Sequence, residues 1–230
     1  MMNYSDLVKI GHKPGGSVPG AVYKDSRGVP WIVKYVASDL HAKNEVLAAA
    51  LYKEAGVRVP VIDLVFDKAK KRLYVASKIE VLSQAPLSNK LTGLMEGLVI
   101  DAWLANWDVV GLDYDNVMYS PVDKLAVRVD VGGSLLFRAQ GGLKGSAFTT
   151  TVIEVLTLLD KNINKQSANV FKDLRILDVK VGLQMLTCIT PDIIKGLVEY
   201  YHMDSELADI LIARREWLLG GDPQQSFTVH

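Results

Sequence analysis

The run Asn106-Trp107-Asp108-Val109-Val110-Gly111-Leu112-Asp113-Tyr114-Asp115-Asn116-Val117-Met118, joined further on by Val127-Arg128-Val129-Asp130-Val131-Gly132-Gly133, governs how the rest of the chain is read. Asp108 closes a strongly apolar segment, Asn116 follows in a polar loop, and Asp130 stands between a short β-like run and two glycines. Mg²⁺ takes a few hard oxygen ligands and completes its shell with phosphate oxygens, so one carboxylate and one amide suffice to hold it beside a nucleotide. A separate carboxylate is then free to orient an attacking hydroxyl. In that reading Asn116 and Asp130 are the metal ligands and Asp108 is the catalytic carboxylate. The same residue types also build ordinary surface turns, so the run by itself supports both readings.

The remainder of the chain bounds the choice. With 230 residues, 49% hydrophobic and 23% charged, it has the composition of a globular protein large enough for one big domain or two lobes. Lys+Arg and Asp+Glu both number 26, which gives no overall pull toward nucleic acid or an anionic membrane. Cys188 has no partner cysteine and lies in an apolar segment, so it is expected in the core of a protein from a reducing compartment. The N-terminus lacks a signal-peptide pattern, and the most apolar stretch, Leu94 to Trp107, is interrupted by Glu96 and Asp101. The expectation is therefore no membrane span and a cytoplasmic location, in a bacterial cytosol or, for an exported effector, in that of a host.

Upstream, Lys13-Pro14-Gly15-Gly16-Ser17-Val18-Pro19-Gly20 is a loop in which glycines permit close backbone approach to phosphates, or which makes a plain hairpin turn. Strands are expected at 21–24 and 31–36 across the turn Asp25-Ser26-Arg27-Gly28, with Lys34 the one charge inside the second. A helix capped by Ser38 or Asp39 runs to Ala55 and stops at Gly56. Glu45 on that helix is the candidate partner of Lys34, with Glu54 the alternative. Strands are expected again at 61–66 and 72–81. The segment around Glu80 and Val81 then leads into a polar stretch where exposed backbone could pair with an adenine edge.

Downstream, Leu91 to Trp107 reads as one buried helix, and 117–119 with 125–129 as a small hairpin. The run Ser134 to Gly145, with Arg138, Gln140 and Lys144, is glycine-rich and reads either as a mobile acceptor-binding segment or as a solvated basic loop. Helices are expected at about 150–160, 164–174, 178–187, 191–202 and 204–219.

Taken in order, these parts resemble a compact atypical kinase of the HipA-like toxin-kinase family, more distantly similar to the phosphatidylinositol-kinase-like fold. Ser17-Val18-Pro19-Gly20-Ala21-Val22-Tyr23-Lys24 resembles that family's loop, Asn106-Trp107-Asp108 its Asn-Gly-Asp, Asn116 its metal-binding Asn, and Asp130 the Asp that opens a kinase DFG motif. The resemblance covers about residues 11–140. It implies an α+β, two-lobed protein-kinase-like fold, with an N-lobe at 1–82 and a helical C-lobe at 83–230. It further implies ATP and Mg²⁺ as cofactors, with Gly15, Gly16, Ser17, Gly20, Lys34, Glu45, Glu80 and Val81 around the nucleotide, Asn116 and Asp130 on the metal, and Asp108 as base. Phosphoryl transfer to a protein Ser or Thr is the activity implied, and Ser17 is either a site of self-modification, a small polar turn residue or a hydrogen-bond donor to phosphate. A small-molecule kinase, an AMP-transferring enzyme and a pseudokinase binding module are the rivals. Here the Asp-to-Asn spacing is longer than in the family, which brings in Asp113 and Asp115 as alternatives to Asp108. The larger toxin kinases' extra N-terminal subdomain is not expected here, so their antitoxin and DNA contacts are not carried over, and with the even charge balance no nucleic-acid partner is expected.

Overall fold

A computed structural model describes residues 1–16, 18–84, 87–88 and 90–221. Its first part is a six-stranded sheet built from β1 (Met2–Asn3), β2 (Val8–His12), β3 (Gly20–Lys24), β4 (Pro30–Lys34), β5 (Ile62–Asp67) and β6 (Arg72–Lys78). They lie in the order β1-β5-β6-β4-β3-β2, antiparallel except for β1 alongside β5. Alternation along β4 sends Trp31 and Val33 into a cluster with Tyr23 and Tyr74. Ile32 and Lys34 face the other way, and Lys34 reaches Glu45 of α1 (Asp39–Glu54). That helix starts where Ser38 accepts a hydrogen bond from the His41 N–H, and it ends before Gly56, whose φ of +79° suits a residue without a side chain. Its Ala42 and Val46 pack on Leu64, Leu73 and Val75 of the sheet. β6 stops at Lys78, short of the expected 81, and the short strands β1 and β2 went unread in the sequence.

The second part packs α2 (Leu98–Trp103), the hairpin β7 (Val117–Ser120) with β8 (Leu125–Arg128), α3 (Glu154–Thr157), α4 (Lys165–Val170), α5 (Ile176–Thr187), α6 (Pro191–Tyr200) and α7 (Ser205–Gly220). Leu47, Leu51 and Tyr52 of α1 join Leu98, Ile100, Trp103, Phe171, Leu186 and Leu211 in one continuous core, so the helix that carries Glu45 is rooted in both parts. Among the described residues, no single helix is long and apolar enough to cross a membrane.

Three expectations fail here. Leu91 to Trp107 is not one helix: residues 91–97 form turns, because the buried Arg128 guanidinium takes the Gly93 and Leu94 carbonyls that a helix would need. Any side chain at Gly97 would also collide with that guanidinium. Helix 150–160 shrinks to the short α3, since Thr149 and Thr151 carbonyls are drawn to Arg214 instead. Cys188 is exposed, not core: it caps the C-terminal end of α5, and the flanking Leu186 and Ile189 turn inward in its place.

Candidate active site

The site is set by strand register and helix phase. Gly20 lies directly opposite Lys34 in the β3–β4 pair, which brings the glycine loop over the lysine. A Cβ at position 20 would run into the Val33 carbonyl, so only glycine allows this approach. Lys34 is buried, and its Nζ bridges Glu45 Oε1 at 2.7 Å and Asp130 Oδ1 at 3.1 Å. Burial alone would lower the lysine's pKa, but the Glu45 and Asp130 charges outweigh it and raise it above the usual value. Glu54, by contrast, is exposed at the far end of α1.

Partial burial pushes the Asp130 carboxyl up, but the Lys34 ammonium and the Gly132 N–H prevail and hold it below its usual range. Both of those groups use Oδ1, which leaves Oδ2 without a donor among the described residues. A Cβ at Gly132 would sit 3.0 Å from Glu45 Oε2 and 3.4 Å from Asp130 Oδ1, so the glycine keeps this corner open.

Asp108 is half-buried on the other side of the Gly132-Gly133 turn, its Cβ 3.5 Å from where a Gly133 Cβ would lie. Burial raises its carboxyl above the usual aspartate range, with Asp130 and Asp115 adding to the effect and an Asn116 hydrogen bond opposing it. Asn116 Nδ2 donates to the Asp108 carbonyl at 2.8 Å and to Asp108 Oδ2 at 3.1 Å. The amide oxygen is thereby turned away from Asp108. The Val129 N–H bonds to the Asn116 carbonyl at the mouth of the β7–β8 hairpin, so Asn116 and Asp130 emerge at the same end. Asp113 and Asp115 are exposed on the loop between Asp108 and Asn116. Among the described residues, no cluster of three His, Cys, Asp or Glu side chains exists to chelate a metal unaided. One carboxylate oxygen and one amide oxygen fit the sparse donor set of a Mg²⁺ ion shared with phosphates.

The loop and hinge candidates are more scattered. Gly15 and Gly16 have φ of +58° and +76°, conformations that L side chains rarely adopt. Ser17 lies outside the described residues. Glu80 is turned away to Arg58, at 2.5 Å, and serves an ion pair with it. Val81 is exposed, and neither its N–H nor its C=O has a backbone partner among the described residues.

Several site-shaping residues escaped sequence reasoning. Asn44, one turn before Ala48 on α1, donates to the Ser134 carbonyl at 3.0 Å and accepts from the Leu136 N–H at 3.1 Å, clasping the segment after Asp130. His41 stacks on Phe137 with ring centroids 4.4 Å apart. Lys144 is buried, not solvated: its amine donates to the Gly133 and Leu135 carbonyls at 2.9 and 2.8 Å. Burial lowers its pKa to about 7. The segment after Gly133 is thus pinned at three points, contrary to its glycine-rich look. Trp107 is held by Glu154, which in turn pairs with Arg214, and the Trp107 carbonyl accepts from Asn164. Glu154, alone among Val152, Ile153, Val155 and Leu156, carried a signal as an isolated polar residue in an apolar run, whereas Asn44 stands between Lys43 and Glu45 and carried none.

No family model matches this chain, and no curated protein matches it. Solved structures do: the chain has a two-lobed, α+β protein-kinase-like fold. It aligns with the proinflammatory kinase CtkA of Helicobacter pylori at a TM-score of 0.57 and 12% identity, over 97% of this chain and 95% of that one. An aminoglycoside phosphotransferase from Alicyclobacillus acidocaldarius aligns more loosely, with a TM-score of 0.35 and 13% identity over 96% and 94% of the two chains.

Proposed function

We propose that this chain is an ATP- and Mg²⁺-dependent phosphotransferase of HipA-like, toxin or effector type that phosphorylates Ser or Thr on a protein. The observation that carries the reading is Lys34 held between Glu45 and Asp130, because kinase chemistry requires a strand lysine oriented by a helix glutamate beside a metal-binding aspartate. The sheet part, residues 1–82, and the helical part, 83–230, would enclose the nucleotide between them, with the Val81 backbone open to an adenine edge. Asp130 and Asn116 would hold Mg²⁺ together with phosphate oxygens. When bound, that ion neutralises charge on the phosphates being transferred.

The chain's own residues do the rest. Lys34 supports the phosphates, and its two carboxylate partners fix its amine in place. Asp108 receives the proton of the acceptor hydroxyl. Its raised pKa makes it a better base than an ordinary surface aspartate, and Asn116 fixes its rotamer. A cavity of about 190 Å³ opens on Asp108, walled by Trp107, Gly111, Ile163 and Gln166, and is sized for one acceptor side chain. The location consistent with this reading is a bacterial cytosol, or that of a host. Incubation of the protein with Mg-ATP and cell lysate, read by mass spectrometry, tests it. Adducts of about +80 Da on Ser or Thr of proteins are expected. AMP-sized adducts, phosphorylated small molecules or no adduct would each replace this reading with one of its rivals.

A further inference from the structure

Lys13 belongs to none of the roles above. It follows β2 directly, its Nζ donates to the Gly15 carbonyl at 2.6 Å, and its Cδ lies 3.1 Å from where a Gly20 Cβ would stand. A side chain at Gly16 would collide with its amine. The glycines at 16 and 20 therefore make room for a lysine folded back through the loop, in addition to any room they leave for a ligand. Gly20 is the residue opposite Lys34, so the Lys13 stem crosses the loop at the lysine–carboxylate cluster.

Lys34 is one ammonium between two carboxylates and has no positive charge to spare. A triphosphate arriving there with a single Mg²⁺ would remain strongly anionic beside Glu45 and Asp130, and a further cation is needed to balance it. We propose that Lys13 is that cation: a loop lysine that exchanges its bond to the Gly15 carbonyl for the terminal phosphates of the nucleotide. The inference rests on the nucleotide-binding reading given above and adds to it a specificity for phosphate number. Burial and the neighbouring Lys34 charge lower the Lys13 pKa, opposed by Asp130 and Glu45, which accords with an amine already within the field of the site.

The test is calorimetric titration of ATP, ADP and AMP, each with Mg²⁺, into the parent chain and into Lys13→Gln and Lys13→Arg. Lys13→Gln should weaken ATP about ten- to hundredfold, ADP less and AMP least, and Lys13→Arg should restore most of the ATP affinity. The ratio of affinities within one variant is independent of how much of the sample is folded. Equal losses for all three nucleotides, or no loss, would overturn the proposal and leave Lys13 as a brace for the loop. A parent chain that binds none of them would overturn the nucleotide reading itself.

Discussion

Two sets of buried charges in this molecule are built from the same chemistry and differ in whether they are closed. Arg128 and Asp101, like Arg214 and Glu154, have side chains with no exposure, and all three guanidinium nitrogens of each arginine have partners. Arg128 fixes the turn before α2, and Arg214 ties α7 to the carbonyls of Ala102 and Trp103 at the end of α2. The Lys34, Glu45 and Asp130 cluster is left open: Asp130 is 48% exposed at its side chain and keeps one oxygen unengaged among the described residues. Closed pairs lock backbone groups that would otherwise be orphaned. An open cluster keeps coordination capacity for something else.

Breaking a closed pair should produce the largest change. Arg128→Met or Arg214→Met leaves several carbonyls without donors and a buried carboxylate without its cation, Asp101 keeping only the Tyr52 hydroxyl and Glu154 only the Trp107 indole N–H, so each should cost about 3–5 kcal/mol of stability in urea unfolding. A loss under about 1 kcal/mol would show that the pairs are not closed in solution.

This contrast also marks what could be read in the sequence. The β4 alternation, the Ser38 cap and the Gly56 stop are local signals, and α1 with Glu45 in its second turn follows from them. Asp130 and Asn116 were legible for a related reason, since the β7–β8 hairpin that brings them together is short in sequence. The closed pairs act over long separations and were not legible. Arg128 unmakes a helix about thirty-five residues upstream, and within residues 91–97 only Gly93 and Gly97 hint at the break, with nothing to name the arginine that causes it. Lys144 looked solvated because lysine usually is; two carbonyls and the Trp107 ring, 5.1 Å from its amine, take the place of water.

Beside the open cluster, Asp108→Asn should lower transfer about 10²–10⁴-fold while Mg-ATP affinity is kept, and Asp113→Asn or Asp115→Asn should do much less. A larger loss at either neighbour would move the base. The pH dependence has a definite sign. Because the folded Asp108 pKa is raised, activity should climb as pH rises through that value, above the ordinary aspartate range, and then level off. Its share of stability runs the opposite way: present below the unfolded pKa, where the carboxyl is protonated in both states, and lost as pH rises through the folded pKa. Asp108→Asn should therefore be as stable as the parent at low pH and more stable near neutrality.

The smallest effect is expected at Arg138, whose exposed guanidinium lies 5.1 Å from the centre of the Trp107 ring beside Asp108. Removing it forfeits about 0.5–1 kcal/mol of cation–π attraction. Arg138→Ala should raise the KM for the acceptor a few-fold and leave the KM for ATP alone; equal behaviour of mutant and parent would assign the residue to the surface.

Asp130→Asn, followed by thermal melting and Mg-ATP titration of the same sample, separates open from closed most directly. Asparagine keeps the shape and removes one carboxylate from a cluster with two carboxylates for one ammonium. The melting temperature should stay within a few degrees of the parent, and Mg²⁺-dependent nucleotide binding should vanish. Retained Mg²⁺-dependent binding, or a collapse in stability like that expected for Arg128→Met, would contradict the account.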